Sequence, residues 1–269
     1  MKSIFLLFSI LLFFSCQKTE KEAVVLEIEE PEWQILFNGK DLMGWTPKIH
    51  HHEVGDNYAN TFRVEDGAIV VNYDGYEKFE DRFGHLFYEK PFSSFHLSWE
   101  YRFTDQFMED APSYTFRNSG VMFHSQAAET ILKEQDWPIS VEYQMYAEEK
   151  EGEPRPTGNM CSPGTDVVFE GKIDDRHCIN SSGSTFKWDE WVRAELIVYG
   201  DSIVHHLVNG DTVLTYSKPQ IGGGVANRFD PTIKVDGTPL KSGYIGLQSE
   251  GQGVMFRDIK IRELTNQPN

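Results

Sequence analysis

Three observations predict an all-β fold of the sandwich or barrel class. Short runs rich in Val, Ile, Phe, Tyr and Trp recur between Gly, Asp, Asn and Pro. Within these runs apolar and polar residues alternate, the period of a strand that buries one face. The 269 residues are 39% hydrophobic and 13% aromatic, and neither a repeat nor a clean linker divides them, so one sizeable β-rich domain is expected.

The N-terminus reads as an address. Lys2 precedes an apolar run from Ile4 to Phe14 that is too short to span a bilayer and has the character of a secretory signal. "LFFSC" then sets Ser15 before Cys16, which resembles the lipobox of bacterial lipoproteins, where the cysteine is acylated and becomes the first mature residue. An ordinary cleaved signal with an incidental cysteine is the alternative. Residues 1–15 are thus expected to be a signal, 16–32 a polar flexible tether and 33–264 the folded domain of an exported lipoprotein, periplasmic or on the outer-membrane surface. With 42 acidic against 25 basic residues the net charge is −17, and no basic cluster offers a path for a phosphate backbone. Nucleic acid is excluded as a partner.

The strands follow in order. "FHLSWEYRF" places Phe95, Leu97, Trp99, Tyr101 and Phe103 on one face and His96, Ser98, Glu100 and Arg102 on the other. "QAAETILKEQ", from Gln126, reads as a short helix. The run beginning at Trp191 gives three strands, Trp191 to Tyr199, Ile203 to Val208 and Thr212 to Tyr216, joined as a meander by turns at Gly200-Asp201 and Asn209-Gly210-Asp211. The C-terminal run supplies two more, with Ile245 and Leu247 opposite Gln248 and Glu250. Its apolar phase shifts between Phe256 and Ile259, which predicts a bulge near Arg257 and Asp258.

Several polar residues could carry chemistry, and for each the plain alternative is a solvent-facing row of a sandwich. In "PISVEYQMYAEE", Ser140, Glu142 and Gln144 share a face opposite Val141, Tyr143 and Met145. Jelly-roll glycosidases set two carboxylates on one strand as nucleophile and acid, but here Gln144 and Ala147 stand where the further acids belong, so that apparatus is absent. One strand earlier, "RNSGVMFHSQ" puts Gly120, Met122 and His124 on one face, and Gly120 leaves room for a ligand to approach. His124 and Glu142 could exchange protons or bind one divalent metal. His50, His51 and His52, with Glu53 and Asp56 after them, read as a solvated loop, and His205 and His206 fall on opposite faces of a strand. Cys161 and Cys178 flank a Gly- and Asp-containing loop and, in an exported chain, read as a bridge or as a free pair.

Taken together, "WQILFNGKDLMGW", "FRVEDGAIVV", "RFGHLFYEKPFSSF", "RNSGVMFHSQ", "PISVEYQMY", "TGNMCSPGTDVVFEGK" with "RHCINSS", "LVNGDTVLTY" and "GYIGLQSEGQGVMFRDIKI" resemble the 3-keto-disaccharide hydrolase domain family from Trp33 to Leu264. The resemblance implies a concanavalin-like jelly roll acting on glycosides already oxidised at C3. A C3 ketone acidifies the C2 hydrogen, so one base can remove it, the C1 substituent leaves, and water adds afterwards. That chemistry needs a base, a stabiliser for the enolate oxygen and hydroxyl-binding groups, but no nucleophile. Mapped here, Glu142 becomes the base or a metal ligand and His124 the second acid/base group or metal ligand. Gln144, Arg117, Gln248, Glu250, His85 and His177 become substrate contacts, and a divalent ion a stabiliser. Trp137 and Tyr101 become stacking surfaces, with core packing the alternative for Tyr101. A non-catalytic carbohydrate-binding jelly roll is the alternative for the whole chain.

Overall fold

In the computed structural model residues 31–264 are described; the expected signal, Cys16 and most of the expected tether lie outside them. The strands are Gln34–Ile35 (β1), Trp45–Ile49 (β2), Phe62–Glu65 (β3), Ala68–Val71 (β4), Gly84–Tyr88 (β5), Ser94–Phe107 (β6), Asn118–Ser125 (β7), Val141–Tyr146 (β8) and Asn159–Cys161 (β9). They continue with Thr165–Phe169 (β10), Lys172–Asp174 (β11), Cys178–Ile179 (β12), Val192–Tyr199 (β13), Ile203–Val208 (β14), Asp211–Ile221 (β15), Tyr244–Ser249 (β16) and Gln252–Glu263 (β17).

Two antiparallel sheets result, as the alternation demands. One runs β11-β10-β15-β14-β13-β6-β17-β4-β3, with β1 on β17, and the other runs β12-β9-β8-β7-β16-β5-β2. Long connections carry the chain from one sheet to the other, the mark of a jelly roll rather than of hairpins stacked in sequence. The core lies between the sheets. Phe95, Leu97, Trp99, Tyr101 and Phe103 of β6 are all at most 1% exposed and face Val141, Tyr143 and Met145 of β8 across the gap. The Trp99 ring meets Tyr143 edge-on at 4.9 Å, and its indole N–H reaches the Met145 sulfur at 3.4 Å. Tyr101 belongs to this core, and its hydroxyl is hydrogen-bonded to that of Thr157 at 2.7 Å, so it offers no stacking surface to a ligand.

The β13-β14-β15 meander forms as expected. Its tight turn uses Asn209 and Gly210 at φ 51° and 91°, the two left-handed residues that suit the right-handed twist of a hairpin. His205 bonds Thr215 on the outer face, whereas His206 is buried between the Gly158 carbonyl and the Tyr216 hydroxyl. The bulge in β17 also stands where the sequence placed it: register shifts between Arg257 and Lys260, and Asp258 takes φ 52°. The helix expected from Gln126 does not form. Only a 3-10 turn at Ala128–Thr130 is present, after Ala127 at ψ 145°. Gln126 ties the segment instead, its Oε1 accepting from Ile139 N and Gln135 Nε2. A ten-residue run is too short to repay helix nucleation against such ties.

Candidate functional site

The solvent side of the seven-stranded sheet is where the structure departs from a plain sandwich. Loops roof it, and the polar row that a bare sheet would leave wet is enclosed: Glu142 is 5% exposed, Gln144 6%, Gln248 1% and Glu250 3%. They form the floor of a cleft of about 500 Å³ whose walls include Tyr114, Asn118, Trp137, Tyr146, His177 and the Cys161–Cys178 disulfide.

Each floor residue arrives by simple strand geometry. Glu142 and Gln144 alternate on β8 with the core residues Val141, Tyr143 and Met145, and on the adjoining strand Met122 faces Glu142 while Gly120 faces Gln144. Gly120 does leave room, and Glu142 takes it. A Cβ at Gly120 would fall 2.2 Å from Glu142 Oε1 and 2.7 Å from its Cδ. Gln248 stands at the end of β16 beside β7, and Glu250 follows in the turn into β17.

Electrostatics separate this pair from a surface row. Burial pushes the Glu142 carboxyl up to about 8. Burial, with the charge of Glu142 added, holds Glu250 well above the ordinary carboxylate range, against the opposing pull of Arg155. Glu250 Oε1, Gln248 Oε1 and Asn118 Oδ1 are buried without a hydrogen-bond partner. Buried acceptors of this kind ordinarily find partners, so three on one cleft mark it as built to receive donors. Gln144 is engaged, accepting from Asn159 Nδ2 at 3.3 Å.

Other expected members lie elsewhere. His124 is displaced because its backbone enters the left-handed region at φ 46°, which breaks the strand alternation. Its ring turns to Phe95 and Phe123, and its Nε2 meets the Gly200 carbonyl at 3.0 Å. It lines a different cavity, beside Ile139, Ile221 and Leu240, and so stands apart from Glu142; burial pushes its ring down to about 4. Arg117, at φ 49°, likewise leaves the cleft: its guanidinium lies over Phe116 and Trp188 and donates to the Glu148 carbonyl. His85 pairs across strands with Gln248 and Lys48, is 2% exposed, and is held neutral by burial, so it adjoins the site without lining it. His177 and Trp137 do line the cleft. Trp137 is braced by Phe83, ring centroids 4.2 Å apart.

Sequence reasoning missed Arg155, Tyr114, Asn118 and Asn227, which come from loops or strand ends without a periodic pattern. Arg155 sits over the Tyr146 ring at 4.0 Å and donates to the Phe116 and Ala147 carbonyls, which fixes its positive charge near Glu250. Asn227 is clamped to Asp136 through its backbone N–H at 2.7 Å and its amide at 2.8 Å. The two cysteines stand directly opposite on β9 and β12 and are joined, so the sulfurs beside His177 are not available as thiolate ligands. Within the cleft the carboxylates that could hold a divalent ion are Glu142 and Glu250, not the Glu142–His124 pair.

A model of the 3-keto-alpha-glucoside-1,2-lyase-like domain matches residues 32–262. A curated protein of Bacteroides thetaiotaomicron named 3-keto-disaccharide hydrolase is 23% identical over 93% of this chain and 84% of its own. A Parabacteroides distasonis structure described as a candidate glycosyl hydrolase is 18% identical, covers 87% of this chain and 100% of its own, and has a TM-score of 0.53. A Bacillus subtilis protein with a galectin-like fold is 12% identical, covers 88% of this chain and 96% of its own, and has a TM-score of 0.51. The structural likenesses establish the sandwich architecture.

Proposed function

This chain belongs to the 3-keto-alpha-glucoside-1,2-lyase-like family, and from that premise we propose that it cleaves the glycosidic bond of 3-keto-glycosides by C2 proton abstraction and elimination. The observation that carries the reading is the buried Glu142–Glu250 pair on the cleft floor, beside acceptors that lack partners. Two buried carboxyls of which one feels the other's charge favour a state with one of them protonated over two charges. Such a pair supplies one base and one acid to an elimination.

In this mechanism the ionised Glu142 takes the C2 proton, acidified by the C3 ketone, and the electron pair enters the enolate. Collapse of the enolate forms the C1–C2 double bond and breaks the bond from C1 to the leaving oxygen, to which protonated Glu250 gives its proton. The pair begins and ends with one proton. Water then adds across the double bond, its oxygen to C1 and its hydrogen to C2, so the net change is hydrolysis. Gln248 and Asn118 orient the sugar hydroxyls, and Trp137 offers its ring face. Arg155 lies where its charge offsets negative charge near Glu250. A divalent ion, if used, would be held by the two carboxylates and would stabilise the enolate oxygen. We further propose export and lipid anchoring through Cys16.

The test is release of a chromogenic aglycone from a β-glucoside and from its 3-keto form, with and without chelator, by wild type and Glu142→Gln. The reading expects release from the keto form alone and a loss of about 10²–10⁴-fold in the variant, the usual weight of a general base. Chelator sensitivity would assign the ion. No release above the spontaneous rate from either compound would leave a carbohydrate-binding module as the function.

A further inference from the structure

A second cavity, of about 670 Å³, adjoins the cleft, and Tyr114 and Asn227 line both. An aromatic wall runs from one to the other, since Trp137 faces the cleft, Phe83 faces the second cavity, and their rings are in contact. Burial first, and then the charges of Glu250 in the cleft and of Asp81 and Asp136 in the second cavity, push the Tyr114 hydroxyl up to about 12. The two spaces are therefore neighbouring compartments of one site.

The second cavity is lined by His50 and His51 of the histidine run that the sequence reads as a solvated loop. That reading holds for His51 and His52, whose pairs with Glu134 and Asp56 are exposed, but not for His50, which is only 8% exposed. His50 Nδ1 lies 2.8 Å from the Asp81 carbonyl. A carbonyl can only accept, so Nδ1 carries the hydrogen, and on the neutral ring Nε2 is left as a lone pair. That Nε2 is buried and has no partner. Burial lowers the affinity of the ring for a second proton, against the opposing pull of the Asp81 and Glu134 backbone, which keeps it in this form.

The surroundings decide what such a lone pair would receive. Asp81, Glu134 and Asp136 outnumber Arg228 in the cavity, and Arg228 lies 3.9 Å from Glu134, so an anion is disfavoured. A metal ion is poorly served, although His50, His51 and Glu134 offer ligand atoms within 4.8 Å of one another. The two rings are stacked 3.7 Å apart at 24°, so their in-plane lone pairs run side by side instead of converging, and His51 already gives its Nδ1 hydrogen to Glu134. A neutral donor remains. A ring of hydroxyls supplies donors to His50 and to the carboxylates, and an apolar face to Phe83.

We propose that this cavity is the leaving-group subsite and that it takes a polyhydroxylated partner, a second sugar ring, with His50 Nε2 accepting from one of its hydroxyls. The proposal rests on the glycoside-cleaving reading of the cleft and adds where the departing ring sits: in this cavity, against His50.

The experiment compares kcat/KM for a 3-keto-disaccharide and for an aryl 3-keto-glucoside in wild type, His50→Phe and Asn227→Ala, the last a rim change that spares the buried bond to Asp81. The ratio of disaccharide to aryl is expected to fall about tenfold or more in both variants, since a polar site punishes loss of a buried hydrogen bond. An unchanged ratio in both overturns the subsite while leaving the cleavage reading intact. If wild type cleaves neither compound, the cleavage reading fails and calorimetric titration decides the subsite. Maltose binding more tightly than glucose, with the margin lost in the variants, supports it, and equal binding overturns it. Zinc binding that depends on His50 and Glu134, without a maltose margin, overturns it in favour of a cation site.

Discussion

The side chain of Glu142 occupies the space that Gly120 leaves empty on the adjoining strand: any Cβ there would lie 2.2 Å from its carboxylate oxygen. Gly120 keeps φ outside the left-handed region, so its role is to make room and not to permit an unusual backbone. Gly120→Ala should therefore displace the carboxylate without breaking the strand. A loss of roughly 10²-fold or more in turnover is expected, as for misplacement of a reacting group, with about 1–3 kcal/mol of destabilisation from overpacking. Turnover of a 3-keto-glucoside beside a thermal melt separates the two effects.

The raised Glu142 carboxyl makes stability depend on pH. Folded, it holds its proton up to about 8, whereas the unfolded chain releases it near 4.5. The folded state thus binds more protons across that window, and stability falls as pH rises through it. Glu142→Gln should flatten this slope and be the more stable protein at pH 8 by about 1–3 kcal/mol, the scale of a buried polar group left unsatisfied. Urea melts at pH 5, 6.5 and 8 check this. Turnover should move oppositely, rising toward pH 8 as the base ionises.

The Cys161–Cys178 bond closes a loop over a sequence separation of 17 and forms part of the cleft wall. Replacing both cysteines with serine should lower stability by about 3 kcal/mol on the chain-entropy model. Weaker sugar binding should accompany it, because β12 pairs only with β9. Melts of the variant and of the wild type under reducing conditions should agree.

Cys16→Ser should abolish lipid modification and move the protein from the membrane to the soluble fraction. Labelling of the growing host with a radioactive fatty acid, followed by fractionation, measures both. Equal partitioning of variant and wild type would point to an ordinary cleaved signal.

By itself the sequence determined the class of fold, the meander, the bulge at Asp258 and the shared face of Glu142 with Gln144 and of Gln248 with Glu250, since extended backbone obeys a period of two residues. Where the backbone leaves the extended region that rule lapses, and His124 and Arg117, both at positive φ, were carried out of the cleft. Only the tertiary structure decided that the polar row is enclosed and not wet. Loops distant in sequence bring Tyr114, Arg155 and Asn227 over or beside it, and no local pattern encodes where a loop will close. The same closure turned His50 from a surface residue into a buried acceptor, because its environment is made by Asp81 and Glu134, from elsewhere in the chain.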